Sequence, residues 1–303
     1  MREEPIQITQ KRTPSVPYRS TSFFWTKSRT KLFGDSVTYL IIGLFSIVIL
    51  IPVVWMLSTA LKENSEVFLF PPRWIPTTLN WDNFVKGLTF LPFARYFGNT
   101  SLITFGAVVG QMVSSPMVAF AFARLRARHK ETIFILILAT MMLPWQVTMI
   151  PLFIGFKTIG LVDTFVPLIL PNFFGGAFYI FLLRQFFLTI SPELMDAAKI
   201  DGCGYFAIFF RVYLPLSKPA LAAVAIFTFM GNWNDFMGPL VYLSKNDNWT
   251  LTLGLSRFTG MYGNTAWNLL MAASLITVLP CIILFFFAQR YFIQGIVITG
   301  VKG

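Results

Sequence analysis

Read for polarity alone, the chain alternates long apolar runs with short charged ones. Apolar runs cover residues 37–60, 97–123, 133–156, 163–183, 219–243 and 265–288. A helix rises about 1.5 Å per residue, so about 20 residues cross a hydrocarbon core about 30 Å thick, and each run reaches that length. A closed β-barrel is the other way to satisfy backbone groups in lipid, but its strands alternate apolar with polar residues, and a run such as 41–54 is apolar on every side. The pattern predicts an all-α integral membrane protein with six transmembrane helices, its even number of spans placing both termini on one side.

Composition agrees with that solvent. Of 303 residues 55% are hydrophobic and 12% charged, with a mean hydropathy of +0.67, where a soluble domain carries about 25% charged residues. The 24 lysines and arginines exceed the 13 acids, a net charge of +11. Seven of those cations lie in the N-terminal tail, four in 124–131, four in 184–218 and two in the C-terminal tail, leaving seven for the other side. Cytoplasmic loops hold the excess, so both termini and the loops 124–131 and 184–218 are expected in the cytoplasm. The basic balance is topology and does not call for nucleic acid. Three regions result: a basic tail over 1–36, expected to be disordered; a six-span domain over 37–290; and a C-terminal tail over 291–303. The tail lacks the early apolar core of a cleavable signal, and Phe23, Phe24 and Trp25 read as an interfacial anchor to membrane lipid. Cys203 falls in a cytoplasmic loop and Cys281 in the last span, which argues against a disulfide.

Several chemistries are missing. A P-loop needs a lysine and a hydroxyl residue directly after its second glycine; the nearest approach, Gly295 and Gly300, is followed by Val301, Lys302 and Gly303. Ion-coupled transporters place acids, His or Arg within their spans, yet Asp235 is the only such group away from a span end, and His129 lies in a basic loop. No catalytic constellation or metal cluster is visible, and no cofactor is expected on this chain. The energy source is therefore expected on another polypeptide.

The loop 184–218 carries the strongest local signal. Ser191 suits a helix cap, Pro192 the first helical position, and Glu193 and Asp196 the positive end of the dipole; Gly202 suits the left-handed residue that follows a helix. Leu194, Ala197, Ala198 and Asp201 share one face, where small side chains admit a close partner. A second apolar run over 205–214 ends at Pro215. Two short helices meeting at Gly202 would form an elbow that either docks a partner or lies on lipid headgroups. Surface helices usually show a lysine-rich face; this one has Glu193, Asp196 and Asp201 against Lys199.

The same residues resemble a known family. Asp196, Ala197 and Ala198, then Gly202, Val212, Leu214 and Pro215, keep the spacing of the EAA motif of ABC importer permeases, with Asp for the leading Glu and Val for Ile. Further resemblance lies in Phe70 to Pro76, Ala119 to Leu125, Leu183 to Phe187, Asn232 to Phe236 and Gln289 to Gly295, nearest to the MalG-like subunit of carbohydrate importers of the maltose and glycerol-phosphate type. The resemblance implies that 193–202 contacts an ATPase subunit, with Leu214 and Pro215 closing the motif. It also implies a second permease subunit in a heterodimer, two ATPase subunits that bind ATP and Mg, an extracytoplasmic solute-binding protein, a carbohydrate substrate, and a C-terminal tail reaching the ATPase. An ABC permease for an amino acid, polyamine or phosphonate, or a membrane scaffold or enzyme subunit without transport, are the rival readings.

A substrate pathway should run past polar side chains and broken helices at mid-membrane. Gln146 beside Pro144, Asn172 beside Pro171, and Asn232, Asn234 and Asp235 are the candidates, since amides and carboxylates offer hydrogen bonds to sugar hydroxyls. Asp235 must be paired, hydrated or facing a cavity.

Overall fold

The computed structural model describes residues 26–259 and 265–300. All its regular elements are helical. In order they are α1 (Thr26–Ala60), α2 (Asp82–Thr89), α3 (Phe93–Arg124), α4 (Lys130–Thr140), α5 (Trp145–Thr158), α6 (Val166–Ile169), α7 (Ala177–Thr189), α8 (Pro192–Ile200), α9 (Tyr205–Ile208), α10 (Leu214–Leu216), α11 (Lys218–Trp233), α12 (Met237–Tyr242), α13 (Leu251–Leu255) and α14 (Trp267–Gly300), with short 3-10 or π turns between some of them.

Four described segments are long and apolar enough to cross a membrane: Gly34–Ala60, Phe93–Arg124, Val166–Thr189 and Trp267–Gln289. Two bent pairs raise the number to six if each counts as one span, namely α4 with α5, bent by 95°, and the stretch Tyr205–Leu216 with α11, bent by 80°. The run at 133–156 is thus two helices. Pro144 has no N–H and its ring disfavours helix in the residue before it, so α4 ends and α5 restarts at Trp145. The run at 219–243 is likewise interrupted between α11 and α12, around Asp235.

The chain divides into two compact units, residues 1–54 and 55–303. The described part of the first is helical from Thr26 onward, ahead of the span expected from residue 37; 26–33 holds neither Gly nor Pro, so the helix extends into the polar leader. The expected anchor at Phe23, Phe24 and Trp25 lies outside the described residues. In the second unit α14 continues past 288 to Gly300.

That second unit is organised around α3, which packs against α7 and α11. One aromatic cluster gathers Phe120, Phe187, Phe209 and Tyr213 with Met195 and Val224. The other gathers Tyr96, Phe229, Trp233, Tyr242 and Trp249 with Leu251. Lipid tails are as apolar as these side chains, so close packing and hydrogen bonds, more than expulsion of water, hold such helices together. Trp233 shows both: its ring stacks on Phe229 with centroids 5.2 Å apart, and its indole N–H donates to Thr277 O at 3.0 Å.

Candidate coupling elbow and pathway

The elbow forms at Gly202. Ser191 Oγ accepts from Glu193 N at 3.2 Å, Pro192 opens α8, and Gly202 has φ +81°. Gly202 N donates to Lys199 O at 3.0 Å and Cys203 N to Ala198 O at 2.9 Å, the paired bonds that close a helix through a left-handed residue. Lys199 pairs with Asp196 at 3.4 Å and lies 5.8 Å from the Tyr205 ring across the corner. Of the expected contact stripe, Leu194, Ala197 and Asp201 are exposed while Ala198 is half-buried beneath the helix beside Met195, as is the expected end of the motif, Leu214. Glu193, Asp196, Gly202 and Pro215 are exposed.

Beyond the corner the chain does not stop at Pro215. It widens into a π turn over Phe209–Tyr213, continues as α10, and bends at Ser217, whose N–H is shared between Tyr213 O and Leu214 O. Pro215 donates no hydrogen bond and its ring crowds the carbonyl four residues back, which accounts for the widened turn before it.

Two arginines tie this loop to α3 and α4. Arg124 Nη2, at the end of α3, donates to Phe187 O at 2.6 Å and to Ile190 O, with its guanidinium 5.5 Å from the Tyr213 ring. Arg184 on α7 answers in the other direction: its Nε donates to Phe122 O at 3.4 Å, its Nη2 reaches both carboxylate oxygens of Glu131 at 2.9 and 3.0 Å, and its head lies 4.1 Å from the Phe134 ring.

At the other end of α3 the loop after α12 is clipped by an anion. Asp163, with φ +65°, accepts from Ser244 N and Lys245 N at 3.0 Å each, and Lys245 Nζ stands 3.2 Å from its second oxygen. Asn248 Nδ2 donates to Asp163 O at 2.7 Å. These donors, Lys245 N first, hold the carboxyl at a pKa of about 2. Arg95 pairs with Asp247, Asn99 donates to Asp247 O at 2.8 Å and Trp249 O at 2.9 Å, and Thr100 Oγ1 accepts from Leu251 N at 2.9 Å. A buried cation, Lys62, organises the segment before α2: its Nζ donates to Arg73 O at 2.5 Å and lies 4.2 Å from the Trp55 ring, and burial pushes its pKa down.

The expected pathway residues are held mostly by their own helices. The amides of Asn172, Asn232 and Asn234 donate to Leu168 O, Thr228 O and Met230 O, each four residues back, at 3.1, 2.8 and 2.8 Å. Asp235 Oδ1 accepts from Gly238 N at 3.1 Å, capping α12, and Asp235 O accepts from Thr252 Oγ1 at 2.6 Å. Leu168 links two of them, since its carbonyl holds Asn172 while its side chain lies against Gly238 beside the Asp235 carboxylate. Gln146 is exposed on the first turn of α5.

The sequence reading missed the polar knot on α3. Gln111 is buried (1% exposed) and, with its amide nitrogen donating to Asn172 O at 3.0 Å, accepts from Gly176 N at 2.7 Å and Ser115 Oγ at 2.8 Å. Ser114 Oγ also reaches Asn172 O at 3.1 Å. Together they cover the backbone opened where the 3-10 turn Leu170–Phe174 meets α7, a break that Gly175 completes at φ +81°. The readable signal was Gln111, Ser114 and Ser115 just ahead of Pro116 in an otherwise apolar run. Among the described residues no three His, Cys, Asp or Glu side chains gather as a metal site.

Comparison with known proteins gives this arrangement a context. Residues 115–298, from the polar knot on α3 through the elbow and into α14, match the family described as binding-protein-dependent transport system inner membrane component. The chain is 39% identical over 263 residues to the arabinooligosaccharides transport system permease protein AraQ of Halalkalibacterium halodurans, covering 86% of this chain and 92% of that protein. It is 33% identical over 265 residues to the sn-glycerol-3-phosphate transport system permease protein UgpE of Yersinia pestis bv. Antiqua, covering 85% and 93%. The crystal structure of a bacterial ABC transporter involved in the import of the acidic polysaccharide alginate aligns with a TM-score of 0.75 and 25% identity over 90% of this chain and 100% of that one. With well over half its length inside the family match, the chain belongs to the binding-protein-dependent inner membrane components, the permease subunits of ABC importers.

Proposed function

We propose that the chain forms half of a translocation pore that brings a sugar or oligosaccharide into a prokaryotic cytoplasm, driven by ATPase subunits on other chains. The observation that carries this reading is the exposed, capped α8 with its left-handed stop at Gly202, set at the EAA spacing in a chain whose relatives are sugar permeases. Glu193, Leu194, Asp196, Ala197 and Asp201 would face the cleft of an ATPase that binds ATP and Mg. A second permease subunit would complete the pore, and an extracytoplasmic binding protein would deliver the solute. Gln146, Asn172, Asn232, Asn234 and Asp235 line the route in this reading, and both termini lie in the cytoplasm; a reporter fused after Lys130 should read cytoplasm and one after Trp81 the outside.

The test is a purified complex with its ATPase and binding protein. Hydrolysis stimulated by a binding protein loaded with oligosaccharide is the expected result. Stimulation that ignores sugars and follows an amino acid or polyamine would move the chain to another class of ABC importer.

A further inference from the structure

Arg124 holds both ends of the elbow at once. Its Nη2 donates to Phe187 O in the last turn of α7 and to Ile190 O, one residue before the cap of α8. The same guanidinium faces the ring of Tyr213, where the second arm leaves the π turn. The elbow therefore starts and finishes on a single side chain of α3, the helix on which α7 and α11 pack. Tyr213 is fully buried, as is Phe187. Among the described residues neither Arg124 Nε nor the Tyr213 hydroxyl makes a hydrogen bond of good geometry, and the well-placed contact is that of the guanidinium with the ring face, with the hydroxyl close enough to feel the charge.

Resting on the reading above, we propose that Arg124 is the positioning residue that transmits movement of the α8 elbow to α3. A guanidinium suits this place because its planar head serves two carbonyls while lying flat on a ring; a lysine would keep the charge and lose the fork. The second clamp, from Arg184 to Glu131, joins α7 to α4 and takes no part in the elbow. Displacement of α8 would then reach α3 through Arg124 in both arms, whereas without it α8 could move while α3 stayed in place.

The experiment uses the complete complex with ATPase and sugar-loaded binding protein, and reads three quantities: copurified ATPase, stimulated hydrolysis, and solute moved per ATP. Arg124→Lys should keep the ATPase at parental amount and basal hydrolysis intact, while solute moved per ATP falls by about threefold or more, within the range that such coupling substitutions produce. Tyr213→Leu should lower the same ratio, and Tyr213→Phe, which keeps the ring and removes an unpaired hydroxyl, should stay parental. Glu131→Gln, which weakens the Arg184 clamp and the neighbouring Lys130 pair, should also stay parental. Should Arg124→Lys not reach the membrane, the Tyr213 pair decides. An unchanged ratio in Arg124→Lys or in Tyr213→Leu, an equal fall in Glu131→Gln, or loss of the bound ATPase in Arg124→Lys would overturn the proposal. A parental complex that retains no ATPase would fail earlier, sinking the functional reading and this inference with it.

Discussion

The two ends of α3 solve the same problem with opposite charge. At the elbow the turn between α7 and α8 leaves Ile190 O open, and Arg124 covers it while also reaching Phe187 O. At the other end the loop after α12 leaves amides open, Ser244 N and Lys245 N, and the Asp163 carboxylate covers them. Orphan acceptors recruit cations and orphan donors recruit anions, so the sign of the fastening residue follows from which backbone groups a turn strands. The ends differ in what remains outside. The Asp163 clip closes its loop on the body of the chain, whereas the elbow still exposes Ile200 (87%) and Phe206 (71%). One end is fastened and closed over, and the other is fastened while an apolar surface stays exposed.

The contrast is broken hardest at Gly202. Beyond its chain neighbours nothing lies within 4 Å of a Cβ built there, so valine would meet open space and fail on conformation alone, at a cost of about 1 to 3 kcal/mol. Gly202→Val should reach the membrane at near-normal abundance while transport and stimulated hydrolysis fall together, by tenfold or so on that cost. Gly202→Asn, which tolerates positive φ, should lose far less. Parental transport by the valine variant would remove the elbow from the mechanism.

At the rigid end the expected effect is on stability. Asp163→Ala leaves two exposed amides and a surface cation to water, so the purified complex should lose about 1 to 2 kcal/mol, read as a lower thermal midpoint, while solute moved per ATP is unchanged. A coupling defect in this variant would erase the distinction between the ends. The pH dependence sharpens it: the folded carboxyl titrates near 2 and the unfolded one near its ordinary value of about 4, so its contribution is complete above pH 4 and is lost as pH falls toward 2. Asp163→Asn should flatten that window in an acid denaturation curve. The smallest effect on stability is expected at Asp235, where the cap on α12 needs an acceptor and no charge. Asp235→Asn should retain most uptake, and Asp235→Leu should lose the cap, worth about 1 kcal/mol, and most uptake with it. Equal, full uptake in both would take Asp235 out of the pathway.

What the sequence revealed was local. The cap at Ser191, the proline at the head of α8 and the stop at Gly202 act within a few residues of each other, so their pattern could be read directly. Gln111, Arg124 and Asp163 act on backbone 61 to 82 residues away, and nothing in their immediate neighbourhood announces it. Arg124 and Arg184 read as topological charge, and neither Asp163 nor Gln111 was singled out. Pro144 was legible as a possible kink, but the 95° of the turn depends on how α4 and α5 pack.

That turn bears on the life of the newly made chain. None of the side chains of α5 is buried, and its inward stripe of Met149, Phe153 and Phe156 is only half-covered. Segments with few covered contacts open at the least free energy, so α5 is among the parts of the second unit that quality-control proteases would reach while it waits for company. Its sequence would then be felt as half-life: substitutions along Trp145–Thr158, Gln146 aside, would shorten the persistence of chains synthesised without partners and go unnoticed once the complex has formed.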